Sequence, residues 1–387
     1  MKHFSLKLFL AGSLVALLAS CGNSAGKSQI NPDVIEAQLK QMTLREKVGQ
    51  LFCVRPEAFD VSLEWDTYAK LASYQVKEVN EQMEKVNAQY PAGGIILFAH
   101  NIEDEAQLET ILSKLKAFNG DPLIYVDEEG GRVARIGNNE NFPVEHFTSM
   151  GEIGRTADPK NAYHCGNVIG QYLKKYGFDV DLAPVADVNT NPKNPVIGER
   201  AFSDDPQLAA KMVVQYVKGL EDAGVAACVK HFPGHGDTQT DSHLGYAQTL
   251  KTWEEIDKCE MVTFKAAIKE NVPLVMTAHI GTPNVTGNET PATLNPVILQ
   301  DKLRQELGFE GVIITDGMAM GAITREYSSG EAAVLSLKAG ADIILGPKSF
   351  IEAFDAVMAA LEDGTLTEER IDESVRRVLT LKAKLGK

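Results

Sequence analysis

The amino-acid sequence predicts a closed (β/α)8 barrel. Eight short apolar runs recur along the chain, helical patterns lie between them, and chemically capable polar residues gather at the C-terminal ends of the runs. Continuous apolar strands buried on both faces, alternating with helices, call for a parallel sheet. A doubly wound open sheet is the runner-up, but there only the residues at the switch point would meet. In a barrel all the C-terminal ends converge on one mouth, which suits Asp127, Asp187, Lys230, His231, His279 and Asp316.

In chain order, Lys2 and Lys7 precede an apolar stretch from Leu8 to Leu18, and small residues lead to Cys21. That pattern predicts a secretion leader, too short for a stable membrane span. Leu18, Ala19, Ser20 and Cys21 resemble a bacterial lipoprotein cleavage box, so residues 1–21 are expected to end at a lipidated Cys21. Residues 22–30 read as a flexible tether and residues 31–387 as the barrel, with nothing left for a second domain.

A capping box at Thr43 and Glu46 starts a helix, and the first strand is expected over 48–54. The charged stretch from Glu57 to Gln89 carries helical spacing at Leu71, Val76, Val79, Met83 and Val86, which predicts a crossover helix after an extended loop. Strands follow at 94–98, 123–126, 178–183, 226–231, 274–279, 311–315 and 341–345. Between them, 104–118 puts Leu108, Ile111, Leu112 and Leu115 on one helical face, 206–220 is a second helix, and Thr252 with Glu255 caps a third. Gly364 ends the helix after the eighth strand, and Thr367 opens a last amphipathic helix that turns Ile371, Val375, Val378 and Leu379 inward.

The formal charge of −15 and the lack of a basic run argue against nucleic acid or an anionic membrane surface as partner; contact with a membrane is expected through the lipid alone. With 44% hydrophobic and 24% charged residues, the composition is that of a globular protein with an ample core. Cys53, Cys165, Cys228 and Cys259 are widely spaced without a CxxC pair, and buried thiols are expected.

The segment KHFPGHGDTQTDSH, from Lys230 to His243, holds three histidines and two aspartates among the helix breakers Pro233, Gly234 and Gly236. These breakers put His231, His235, Asp241 and His243 on a strand end and a loop, where scaffold-held chemistry is common. His231 and His235 are four apart, but Pro233 and Gly234 remove the helical presentation that would suit zinc, and no metal or organic cofactor is expected.

KHFPGHG with DSH at Asp241 to His243, VDEEGGRVAR from Val126 to Arg135 and NPVIGERAF from Asn194 to Phe202 together resemble glycoside hydrolase family 3. Within that family the chain looks like the single-barrel β-N-acetylhexosaminidases, from about Thr43 to the C-terminus. The resemblance implies that Asp316, in IITDGMAM, is a nucleophile that forms a glycosyl-enzyme intermediate. It implies that His243 is the general acid/base, oriented by Asp241, and that Asp127, Arg135, Arg200, Lys230 and His231 hold the sugar. Glu128 stands where the family often has glutamine. Asp187 is expected to brace the site and His235 to fix the loop turn; His279 has no assigned role.

The activity so implied is retaining removal of terminal β-linked N-acetylglucosamine, with N-acetylglucosaminide oligosaccharides as partners. A neutral imidazole base would not repel an anionic acceptor, so phosphorolysis is conceivable in place of hydrolysis. Two rival functions are a family 3 glucosidase or xylosidase and a glycan-binding lipoprotein without catalysis. By the same resemblance, the dyad inside the barrel favours N-acetylglucosaminides over the first, and the Asp241, His243 and Asp316 set speaks against the second. Oligomeric state has no signature in the sequence.

Overall fold

The computed structural model describes residues 30–64, 68–238 and 247–387. The expected leader, Cys21 and the tether through residue 29 lie outside the described residues, as do Asp241 and His243. Ile30 already packs against the core.

Eight parallel strands form one sheet: β1 (Phe52–Val54), β2 (Gly94–Leu97), β3 (Leu123–Val126), β4 (Val180–Asp181), β5 (Ala226–Phe232), β6 (Leu274–Thr277), β7 (Val312–Ile314) and β8 (Ile344–Leu345). Their order is β8-β1-β2-β3-β4-β5-β6-β7, and a parallel bridge between Ile314 and Ile343 joins the last strand to the first. This is the expected (β/α)8 cylinder, with both sheet faces buried as the apolar runs required.

Strand alternation fixes what points inward. Cys53, Ile96, Tyr125, Val180, Leu182, Ala226, Cys228, Leu274, Met276, Val312 and Ile314 fill the barrel interior, while the residues between them pack outward on the helices. Two residues beyond an inner-face residue, at the C-terminal mouth, come Arg55, Phe98, Asp127, Lys230 and Asp316. The register that builds the core thus also delivers the polar groups to the mouth.

The helices begin where the side chains can cap them. Thr43 and Glu46 form a reciprocal capping box for Leu44–Gln50, as do Thr252 and Glu255 for Trp253–Lys258. The helix Glu105–Leu115 buries the four predicted residues, and Pro206–Asp222 runs slightly past its predicted end. Helix Phe350–Glu362 is followed by Gly364 at φ +78, a conformation favoured by glycine.

The structure corrects three local expectations. The capped helix takes Val48 to Gln50, so β1 starts at Phe52 and not at Val48. The first crossover is divided into helices Tyr68–Ser73 and Glu81–Gln89, because Asn80 accepts the Met83 N–H at 2.9 Å and starts a new helix. Cys259 is half-buried, while Cys53, Cys165 and Cys228 are buried, and all four are free thiols.

The final helix, Glu368–Lys384, crosses the N-terminal end of the barrel and closes it. Val378 and Leu381 join the interior cluster, while Lys382 donates to the carbonyl oxygen of Gly120 at 2.7 Å and Lys387 meets Asp179 at 2.9 Å, both beside strand entries. Helix Pro32–Gln41 lies against this closing helix, tied to it by the ion pair between Glu36 and Arg376.

Candidate active site

The mouth holds a continuous run of alternating charge. Asp127, just past β3, pairs with Arg135 at 3.3 Å and with the Lys230 ammonium from β5 at 2.9 Å. Lys230 also meets Glu129 at 2.6 Å, and Glu129 takes a two-pronged contact from Arg200, with Nε at 2.8 Å and Nη2 at 2.7 Å. Arg200 Nη2 lies 3.5 Å from His231 Nε2, and His231 Nδ1 lies 2.7 Å from Asp187. Because a carboxylate accepts, Nδ1 of His231 carries the proton and Nε2 is left as an acceptor facing the mouth.

All five sugar-binding residues expected from the sequence, Asp127, Arg135, Arg200, Lys230 and His231, therefore meet in one network. Its electrostatics are self-consistent. Burial raises the pKa of Glu129, but Arg200 and Lys230 outweigh it and hold the carboxyl far below the usual range. Burial likewise works against ionised Asp127, and Lys230 and Arg135 still bring its pKa down. Burial lowers the pKa of Lys230, but Asp127 and Glu129 overcome that effect and raise it, so the cation persists.

Glu129 was not singled out by the sequence. Its signal is the period of two: Tyr125 faces the barrel interior, and Asp127 and Glu129 continue that face into the mouth. Glu128, on the other face, has a different task. Its carboxylate accepts the backbone N–H groups of Arg135, Ile136 and Gly137 and the hydroxyl of Tyr172, binding the loop that carries Arg135 to the barrel wall. Burial raises its pKa despite these bonds.

We expect Glu129→Gln to destabilise the fold by about 3 kcal/mol at neutral pH, since it leaves Lys230 and Arg200 short of a buried counter-charge. A carboxyl whose folded pKa is depressed adds stability above its unfolded value, near pH 4.3, and that contribution fades as pH falls below it. The gap between the two proteins should thus narrow on acidification below about pH 4. Urea denaturation of both proteins at pH 7 and pH 3.5 measures this, and equal midpoints at pH 7 would remove the claim.

Asp187 braces the histidine loop. Beyond His231, its Oδ1 accepts the His235 N–H at 2.6 Å. His235 Nδ1 lies 2.6 Å from Thr238 Oγ1, and the Asn194 side chain donates to the His235 carbonyl oxygen at 2.7 Å. Burial lowers the His235 pKa. Gly236 is required for close approach, because a Cβ there would lie 1.8 Å from the Val188 carbonyl oxygen.

Asp316 follows β7. Its backbone N–H donates to the Thr277 carbonyl oxygen at 3.1 Å, and its Oδ1 accepts the Gly317 N–H at 2.7 Å. It is half-buried, and its charge weighs on the titration of both His235 and Cys228. Two further residues border the mouth without having been marked in the sequence. The guanidinium carbons of Arg55 and Arg135 lie 5.2 and 5.6 Å from the ring centre of Phe98. Among the described residues, no group of three or more His, Cys, Asp and Glu side chains could hold a metal ion.

The glycosyl hydrolase family 3 N-terminal domain matches residues 43–381. The chain belongs to glycosyl hydrolase family 3. Among its relatives is β-hexosaminidase A of Pseudoalteromonas piscicida, 35% identical over 333 residues that cover 79% of this chain and 55% of the relative. The β-hexosaminidase of Neisseria meningitidis serogroup C is 34% identical over 289 residues, 72% of this chain and 76% of that protein. A solved family 3 β-N-acetylglucosaminidase from Paenibacillus sp. str. FPU-7 superposes with a TM-score of 0.80 at 37% identity, over 89% of this chain and 63% of that one. The chain thus spans little more than half the length of the first of these relatives.

Proposed function

We propose that this chain is a retaining exo-glycosidase that removes terminal β-linked N-acetylglucosamine. The observation that carries this reading is the partly buried network of Asp127, Arg135, Lys230, Glu129, Arg200 and His231 at the same barrel mouth as Asp316. Such a network offers fixed donors and acceptors to the edges of one sugar ring. The β-hexosaminidase names of two relatives support the choice of sugar.

In the proposed mechanism, Asp316 attacks the anomeric carbon as the glycosidic bond breaks, giving a glycosyl-enzyme ester. His243, oriented by Asp241, gives its proton to the departing oxygen, then takes one from the water that hydrolyses the ester. An imidazole suits both halves because it titrates near neutrality. We further propose that the protein is exported and anchored through Cys21. Cys21→Ser should abolish incorporation of labelled palmitate in a bacterial host, and retained label would sink the anchor.

The activity is tested with chromogenic β-glycosides of N-acetylglucosamine, glucose and xylose, using protein that lacks residues 1–21. Turnover of the N-acetylglucosaminide alone is the expected result. Preference for either of the other sugars would overturn the substrate, glycosyl phosphate formed in phosphate buffer would replace hydrolysis by phosphorolysis, and silence on all three would favour a glycan-binding protein.

A further inference from the structure

His279 is buried at the exit of β6, and it reaches the residue that follows the candidate nucleophile. Its Nε2 lies 3.0 Å from the carbonyl oxygen of Gly317, and its Nδ1 lies 3.0 Å from Thr293 Oγ1. A carbonyl oxygen only accepts, so Nε2 carries the proton. In the neutral ring Nδ1 accepts from Thr293, whose oxygen lies 2.7 Å from the hydroxyl of Thr277. Thr293 has a single proton, which it shares between Nδ1 and the Ala278 carbonyl oxygen, 2.9 Å from Oγ1. Thr277, Thr293 and His279 are all buried, so this chain of bonds is shielded from competing water.

The network grips the backbone on both sides of Asp316. The peptide before it is held by the bond from the Asp316 N–H to the Thr277 carbonyl oxygen, at 3.1 Å. The peptide after Gly317 is held at both ends, its carbonyl oxygen by His279 and its N–H, on Met318, by the Leu345 carbonyl oxygen at 2.8 Å. Between these two clamped units lies the peptide whose Gly317 N–H meets Asp316 Oδ1 at 2.7 Å. Glycine at 317 has no side chain to limit its own torsions, so an external hold on its carbonyl matters more there than at another residue.

We infer that His279 is a positioning residue: by holding the Gly317 carbonyl it aims the Gly317 N–H at the Asp316 carboxylate and sets the direction of attack. This rests on the reading of Asp316 as nucleophile. The hydrogen bond from Gly317 favours the ionised carboxylate and fixes one of its oxygens, a geometric constraint whose loss is expensive in rate.

The test is steady-state kinetics of the wild type, His279→Leu, His279→Gln and Thr293→Val on a chromogenic β-N-acetylglucosaminide. Leucine removes the donor and should lower kcat about 100-fold with KM little changed, since a misplaced nucleophile slows chemistry and not binding. Glutamine places an amide N–H near the position of Nε2 and should recover most of that loss. Thr293→Val removes the support for Nδ1 and should lower kcat several-fold, again with KM held. A leucine variant with near-normal kcat, a loss confined to KM, or glutamine as damaging as leucine would each overturn the inference. If His279→Leu fails to fold, the other two variants decide: near-normal kcat in Thr293→Val, or a KM effect in either, overturns it. Wild type silent on every glycoside removes the inference together with the enzymatic reading, whereas an active wild type with unaffected variants removes the inference alone.

Discussion

Replacing Asp316 with asparagine should lower turnover of an aryl β-N-acetylglucosaminide by about four orders of magnitude, equivalent to roughly 5 kcal/mol of barrier. The amide keeps the shape of the carboxylate, and its oxygen can still accept the Gly317 N–H that now meets Oδ1 at 2.7 Å. What it lacks is a nucleophilic oxygen carrying negative charge to bond to the anomeric carbon and to balance the oxocarbenium-like transition state. Asp316 is only half-buried, so loss of its charge should leave the thermal midpoint almost unchanged. Kinetics and a melting curve on one preparation separate chemistry from folding. A fall of less than tenfold would remove the nucleophile assignment.

His243→Ala should have the second-largest effect, about 10³-fold on a substrate with a poor leaving group. The size should depend on that group. A dinitrophenolate leaves without help, so formation of the glycosyl-enzyme should be nearly restored on such a substrate, while its hydrolysis stays slow for want of a base. Turnover would then show a fast burst followed by a slow steady rate. Equal losses on both substrates, or near-normal activity on both, would reject His243 as acid/base.

The barrel was legible because its strands are apolar on both faces and its polar residues stop at one end. Asp127, Lys230 and Asp316 stood out for the same reason: each continues an inner-face register past the last apolar residue. Glu129 was harder to see because it follows Glu128, and neighbouring like residues reveal nothing until alternation sends one to the loop and the other to Lys230 and Arg200. The role of His279 was hidden for another reason. Thr293 and Gly317 lie 14 and 38 positions away from it, and no local pattern encodes a bond of that span. The misplaced start of β1 has a local cause. Val48 is apolar enough for a strand, but the Thr43 capping box had already committed it to a helix.

The helix that seals the barrel floor also determines how the molecule would face its surroundings. Helix Pro32–Gln41 is fastened to that floor, so the described chain begins at the end opposite the mouth. If Cys21 is held in a bilayer, only eight residues separate it from Ile30, which packs on the core. That leash would keep the floor toward the lipid and turn the mouth outward, toward glycan chains presented at a distance from the membrane. An enzyme so mounted would sample the polymer around it and have little access to sugars at the lipid headgroups.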